Sequence, residues 1–218
     1  MDKQVDILII GAGISGIGVA AHLSQNCPQR SFEIIERRQS FGGTWDLFQY
    51  PGIRSDSDMS TFGYNFKPWK KTNVLADGAS IKDYLEEVIQ EKALHSKIHF
   101  QHRVLSANYD SQTRKWTLRI ENAVQQIETW VANFVLGCTG YYNYDQGFQP
   151  DFPNQQAFKG TFIHPQHWPE NLDYRGKKVL IIGSGATAIT LVPAMSKGGA
   201  AHVTMLQRSP TYIASVPA

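Results

Sequence analysis

The chain has 218 residues, 42% hydrophobic and 18% charged, with 21 Lys plus Arg against 19 Asp plus Glu and a formal net charge of +2. That composition belongs to a folded globular protein, and the near-balance of charge gives no electrostatic case for nucleic acid or an anionic membrane as the main partner. No stretch approaches the ~20 apolar residues of a membrane span, and Cys27 and Cys138 lie far apart without a CxxC or metal-ligand pattern, which fits a reducing, cytoplasmic setting with no metal site.

In chain order, residues 5–10 form a short Ile-rich apolar run stopped by Gly11, which predicts a buried strand. The run is too short for a signal-peptide core and leads straight into a glycine turn. Residues 14–25 read as a helix and 32–36 as a second strand, so the chain opens on a βαβ unit. Residues 41–64 are rich in Gly, Pro, Ser and Asp, and a loop of that length inside a compact protein is usually functional. Residues 80–95 carry Ile81, Leu85, Val88 and Ile89 at helical spacing, with Ser80 as the expected cap and Asp83 three residues on. Residues 98–131 alternate and are rich in β formers, predicting an antiparallel meander, and 134–138 read as another short strand. Residues 141–174 are aromatic and proline-rich and read as a linker. A strand at 177–182, a helix, and a strand at 201–207 begin a second nucleotide-binding unit. The fold class is therefore α/β with two Rossmann-like dinucleotide-binding units. An antiparallel meander is inserted in the first, and the second is truncated. The expected boundaries are 1–145, a linker at 146–174, and 175–218.

Each unit carries a glycine turn. The first is Gly11-Ala12-Gly13-Ile14-Ser15-Gly16, between a strand and a helix. Its first glycine permits the tight turn, its second lets backbone approach a pyrophosphate, and its third lets helix and strand pack closely, with the helix N-terminus facing the phosphates. Glu36 closes the next strand 20 residues past the last glycine, where a ribose hydroxyl needs an acceptor. The second turn is Gly183-Ser184-Gly185-Ala186-Thr187-Ala188, with alanine in the third glycine position. Glu36 and Arg208 occupy the same place, 25 residues after the first glycine of their turns. An acid there accepts from an unmodified ribose, whereas a guanidinium pairs with a 2′-phosphate. The first turn thus reads as FAD or NAD and the second as NADP. In the loop, Asp56 is the catalytic candidate, since a carboxylate beside a flavin orients a cation that stabilises anionic intermediates. The alternative is a turn cap, a role that Ser-Asp-Ser-Asp strings fill well.

The stretch from Phe158 to Pro169, FKGTFIHPQHWP, matches the pattern FxGxxxHxxxWP at every fixed position. By that fingerprint the chain resembles the Baeyer–Villiger flavoprotein monooxygenases. The stretches at 42–59, 164–174, 182–195 and 202–212 look most similar to the ethionamide-activating subgroup. The resemblance implies FAD and NADPH as cofactors and a ketone or sulfide plus O2 as substrates. NADPH would reduce the flavin, a peroxyflavin would form, and the ketone would become an ester or lactone. It implies that Ser15, Glu36, Gly43, Thr44, Trp45 and Asp56 contact FAD, with Val104 near the adenine. Arg54, Ser55 and Asp56 would face the nicotinamide side. Gly183, Ser184, Gly185, Ala186, Thr187, Ala188 and Ile189 would hold the second pyrophosphate, and Gln207, Arg208 and Ser209 the adenosine end. His164 and Trp168 also admit a plainer role as a packed linker with a satisfied histidine. Family members are more than twice this length, so the chain alone is expected to be inactive. It would lack the returning segment of the FAD domain, the arginine that stabilises the peroxyflavin, and much of the substrate pocket. Two other functions stay open: a non-catalytic FAD- and NADP-binding remnant, and a flavin oxidoreductase without oxygenase activity. A disulfide-reductase form of the latter needs a redox cysteine pair that Cys27 and Cys138 do not supply.

Overall fold

The apolar run at the start of the chain forms β1 (Lys3–Ile10) in the computed structural model, which describes residues 2–213. Neighbouring Leu8 and Ile9 are both fully buried, as a parallel strand covered on two faces requires. Parallel strands need a crossover, here α1 (Ile14–Asn26), whose Gly16, Ile17, Gly18, Ala20 and Ala21 are buried. β2 (Phe32–Ile35) then pairs parallel with β1, Ile7 facing Phe32 and Ile10 facing Ile35. The Gly-rich stretch that follows contains two single-turn helices, α2 (Thr44–Leu47) and α3 (Met59–Phe62).

α4 (Gly78–Glu91) starts earlier than its hydrophobic stripe suggests. Asp77, not Ser80, is the capping acceptor: its carboxylate takes the Ser80 N–H at 2.7 Å and the Ser80 hydroxyl at 3.2 Å. The expected stripe is buried, with Tyr84 added to Ile81, Leu85, Val88 and Ile89. After α4, Ala93 turns left-handed (φ 51°) and the Leu94 N–H returns to the Ile89 carbonyl at 2.8 Å, which closes the helix end. β3 (Ile98–His99) adds to β2 in parallel. The expected meander follows as β4 (Arg103–Asp110), β5 (Lys115–Glu121) and β6 (Ile127–Gly137).

The sheet runs β3-β2-β1-β6-β5-β4. β6 is the hinge of this order, because it pairs antiparallel with β5 up to Ala132 and parallel with β1 from Trp130 onward. The last meander strand and the separate strand expected at 134–138 are therefore one element. No Gly or Pro interrupts residues 127–136, and Asn133, the polar residue between the two halves, donates to the Asp6 carboxylate at 3.0 Å. Leu8, Ile35, Leu118, Ile120, Trp130 and Ala132 form the core around this junction.

The second glycine turn lies in a smaller βαβ element: β7 (Lys178–Ile182), α5 (Ala186–Lys197) and β8 (His202–Leu206). β7 and β8 pair in parallel, Lys178 facing His202 and Ile182 facing Leu206. The α/β class, the parallel start of each unit and the antiparallel meander agree with the sequence reading. The compact units themselves are discontinuous. One comprises Met1–Asp46 and Ile81–Tyr141, the other Leu47–Ser80 and Tyr142–Ala218. The segment from Leu47 onward belongs with the second unit because its apolar residues pack there: Phe48 and Tyr50 share a core with Leu191 and Met195 of α5. Residues 214–218 of the expected last segment lie outside the described residues.

Candidate cofactor sites

The first turn is built as its sequence implies. Gly11 has φ +107°, and a side chain there would strike the Cys138 carbonyl oxygen. A side chain at Gly16 would strike the Gly11 carbonyl oxygen, so the helix lies against its own strand with no room for a methyl group. Gly13 differs. It is the residue before α1, has extended backbone, and a Cβ there would meet only Gly43, at 3.5 Å from its Cα. No side chain caps α1 and no acid sits in its first turn, which leaves its N-terminus suited to an anion. Ser15 is exposed on the first turn of that helix.

Glu36 is 6% exposed. One carboxylate oxygen accepts the Ala12 N–H and the other the Arg38 N–H, both at 2.8 Å. An ionised carboxylate offers about four acceptor positions, so each oxygen keeps capacity for a hydroxyl donor. Gly43 has φ +56°, and Thr44 and Trp45 follow on α2, half-buried. Val104 lies on β4 opposite Ile120, beside a register shift, and packs on the core around Trp130. The structure thus brings Gly11, Gly13, Gly16, Glu36 and Gly43 together in one unit.

The second turn repeats the geometry of the first. Gly185 precedes α5 with φ −80° and ψ −175°, against −82° and −173° for Gly13 before α1. The Gly183 N–H donates to Leu206 of β8 at 2.8 Å, as the Gly11 N–H donates to Ile35 of β2 at 2.8 Å. Gly183 has φ +128°, and Cβ atoms at Gly183 or Gly185 would meet nothing within 4 Å. Ser184, Ala186, Thr187 and Ile189 surround that open helix end, while Ala188 is buried. Gln207, Arg208 and Ser209 follow β8 and are exposed.

The 54–58 loop carries two acids, Asp56 and Asp58. Asp58 is the cap: its oxygens accept the Thr61 N–H and hydroxyl, both at 2.9 Å, and these hydrogen bonds hold its carboxyl below the ordinary value. Asp56 is exposed and does not cap the helix. Ser55 is 4% exposed, its hydroxyl donating to the Ser57 carbonyl at 2.8 Å, and Arg54 forms a backbone bridge with Asp77.

Of the fingerprint residues, His164 and Trp168 are half-buried in the second unit, while Phe158, Gly160 and Pro169 are exposed. The His164 ring lies directly over Gly147, and its Nδ1 accepts the Gln166 N–H at 3.2 Å. Gln166 is buried and donates to the Asn143 carbonyl at 2.7 Å, while Trp168 packs against the Phe48 and Leu191 cluster. Sequence reasoning missed three residues beside the first turn, Arg38, Asp46 and Lys82, which form an ion cluster. The only sequence signal was a charged residue directly after Gly-Gly-Thr-Trp. Lys82 lies 36 residues further on and carried none.

A match to the Flavin-binding monooxygenase-like family spans residues 2–216. The chain belongs to that family. It is 76% identical over 217 residues to the probable FAD-binding monooxygenase AlmA of Acinetobacter baylyi, and 55% identical over 217 residues to the FAD-containing monooxygenase EthA of Mycolicibacterium smegmatis. Each alignment covers 100% of this chain and 44% of the relative, so the chain spans less than half the length of these curated relatives. Among solved structures, an oxidised steroid monooxygenase bound to NADP matches with a TM-score of 0.81 at 28% identity, over 96% of this chain and 40% of that one. A cyclohexanone-bound cyclohexanone monooxygenase matches at 0.82 and 26%, over 97% and 40%. These neighbours are Baeyer–Villiger enzymes, in accord with the resemblance drawn from the fingerprint. Cys27 and Cys138 are both free.

Proposed function

We propose that the protein carrying this chain is an NADPH- and O2-dependent FAD monooxygenase of the Baeyer–Villiger type, acting on ketones and also on sulfides. One observation carries the reading: two glycine turns of nearly the same backbone geometry carry opposite charges at equivalent positions, Glu36 after the first and Arg208 after the second. An enzyme that takes a hydride from NADPH onto a flavin needs that pair of sites.

The residues present fit FAD at the first turn. Glu36 is buried with acceptor capacity left over, and the space at Gly13 is closed only by another glycine. Bound there, FAD supplies hydride acceptance and oxygen activation, which no side chain provides. Glu36 accepts from the ribose hydroxyls, and the N-terminus of α1 with Gly13 takes the pyrophosphate. Ser15, Gly43, Thr44 and Trp45 line the same turn, and Val104 is assigned to the adenine end. At the second turn, Gly183 to Ile189 hold the NADPH pyrophosphate. Arg208, flanked by Gln207 and Ser209, pairs with the 2′-phosphate. Asp56 is retained as the catalytic candidate, because the cap that competed for the role belongs to Asp58. Arg54 and Ser55 frame it. His164 and Trp168 are assigned to packing.

The test is to purify the complete protein, record its flavin absorbance, and follow NADPH, O2 and product with linear and cyclic ketones. The expected result is one ester formed per NADPH and O2 consumed. Colourless protein, or NADPH and O2 consumed with hydrogen peroxide as the sole oxygen product and no ester from any ketone, overturns the reading.

A further inference from the structure

The turn that carries Gly43 contains two glycines with positive φ, Gly42 at +112° and Gly43 at +56°. Glycines leave a turn with the largest conformational entropy to lose, so something must hold this one in place. The hydrogen bonds around it form a closed circuit. From Ala12, the N–H donates to one Glu36 oxygen, and the other Glu36 oxygen accepts the Arg38 N–H. The Arg38 guanidinium reaches the Asp46 carboxylate at 2.8 Å, and also the Asp46 carbonyl at 3.3 Å and the Gly43 carbonyl at 3.4 Å. The Asp46 N–H donates to the Gly43 carbonyl at 3.2 Å, and the Gly42 N–H returns to the Ala12 carbonyl at 2.9 Å. A second arm meets the circuit at Asp46, whose other carboxylate oxygen is held by the Lys82 ammonium.

Lys82 stands on α4, one residue past the fully buried Ile81, and its ammonium lies 5.6 Å from the centroid of the Phe41 ring. The Asp46 side chain is 11% exposed, Arg38 26% and Lys82 34%. The contacts are therefore shielded well enough to outlast the screening that cancels surface pairs. Their effect is to fix the glycine turn, with Gly43 facing Gly13.

We propose that Asp46, gripped between Arg38 and Lys82, is a positioning residue for the flavin: it locks the Gly42–Gly43 turn at the spacing from Gly13 that the dinucleotide needs. The proposal rests on the reading that the first unit holds FAD. Asp46 acts through the turn and touches no reacting atom. Removing its charge removes the anion that Arg38 and Lys82 share and loosens the glycines, so FAD must order the turn as it binds and loses affinity.

The experiment compares Asp46→Asn, Lys82→Met and Lys82→Arg in the complete protein, with Gly13→Ala as a control for the FAD site. FAD dissociation constants of the stripped apoproteins are read from flavin fluorescence, together with apoprotein melting temperatures and the visible circular dichroism of bound flavin. Asp46→Asn and Lys82→Met are expected to weaken FAD about tenfold, the loss of one charge-assisted contact. Both should alter the dichroism of the flavin, while Lys82→Arg restores both properties. If Asp46→Asn does not fold, Lys82→Met decides, since it removes only the helix arm. Unchanged affinity in Asp46→Asn and Lys82→Met with a weakened Gly13→Ala overturns the positioning role and leaves the FAD site standing. Unchanged affinity in Gly13→Ala removes the FAD reading and this proposal with it. A lowered melting temperature at constant affinity makes Asp46 a purely structural residue and also overturns it.

Discussion

Two glycines of the first turn, Gly16 and Gly13, differ in what a side chain there would meet. A methyl group at Gly16 would strike the Gly11 carbonyl group, which is backbone directly after a buried strand. Gly16→Ala is therefore expected to cost folding, by about 1–3 kcal/mol or more, visible as a lower melting temperature of apoprotein. A methyl at Gly13 reaches an ordinary contact with Gly43, at 3.5 Å, so Gly13→Ala is expected to fold normally and purify with little FAD. Equal melting temperatures for the two variants would break this division. Arg208 belongs to the same scale. Exposed after β8, it is the residue proposed to pair with the 2′-phosphate, and on that proposal Arg208→Ala should weaken NADPH by about 1.5–3 kcal/mol while leaving NADH nearly unchanged. Parallel losses for the two nucleotides, measured by titration, would show that Arg208 does not read the 2′-phosphate.

Elements add constraints that no residue type announces. Glu128 on β6 ties the meander to β1: its carboxylate takes Lys3 at 2.8 Å, with Asn122 and its own neighbour Trp130 at 3.0 Å each. Burial pushes the carboxyl up, but these hydrogen bonds and the Lys3 charge outweigh it, bringing it from 4.5 down to about 2. With the folded value below the unfolded one, the stabilisation is present above pH 4.5 and lost as pH falls toward 2. Solvent screening holds it to about 1 kcal/mol. Glu128→Gln should thus be less stable than the parent at pH 6, with the gap closing between pH 4.5 and 2 in denaturant melts. A gap independent of pH would assign the effect to packing. Gly52 plays a comparable part in the other unit. Its φ is +84°, and a Cβ would lie 2.8 Å from the Thr190 carbonyl oxygen and from Ala194 on α5. Gly52→Ala is expected to destabilise that unit by about 1–3 kcal/mol. Such couplings mark the limit of what the sequence made legible. The βαβ starts, the buried stripe of α4 and the glycine turns were legible because each is periodic or local. The ion cluster of Arg38, Asp46 and Lys82, the continuous β6 and the return of Phe48 and Tyr50 to α5 were not, since each depends on residues far apart in the chain meeting through the fold.

For the molecule as a whole, the open surfaces decide what these residues accomplish by themselves. On the β7–β8 pair, Leu180, Ile182 and Leu206 are 57%, 48% and 53% exposed, and on β6 Phe134 is 65% exposed. Parallel strands are normally covered on both faces, and side chains of this size cost solubility when left open. The curated relatives named above extend well past the matched region, of which this chain represents 44% of their length. A polypeptide of these 218 residues alone is therefore expected to bind FAD weakly and to oxidise NADPH slowly. The oxygen consumed should appear as hydrogen peroxide, because coupling O2 to a ketone requires a site that excludes water. The measurement is parallel quantification of NADPH, peroxide and ester for the short polypeptide and the complete protein. Replacing Leu180 and Leu206 by Thr separates exposure from chemistry: the short form should become more soluble without gaining ester, and the complete protein should lose stability if those side chains are covered there. Ester formed by the short polypeptide in proportion to NADPH would show instead that these residues complete an oxygenating site unaided, or by pairing with a second copy, which an oligomeric-state measurement on the same sample would tell apart.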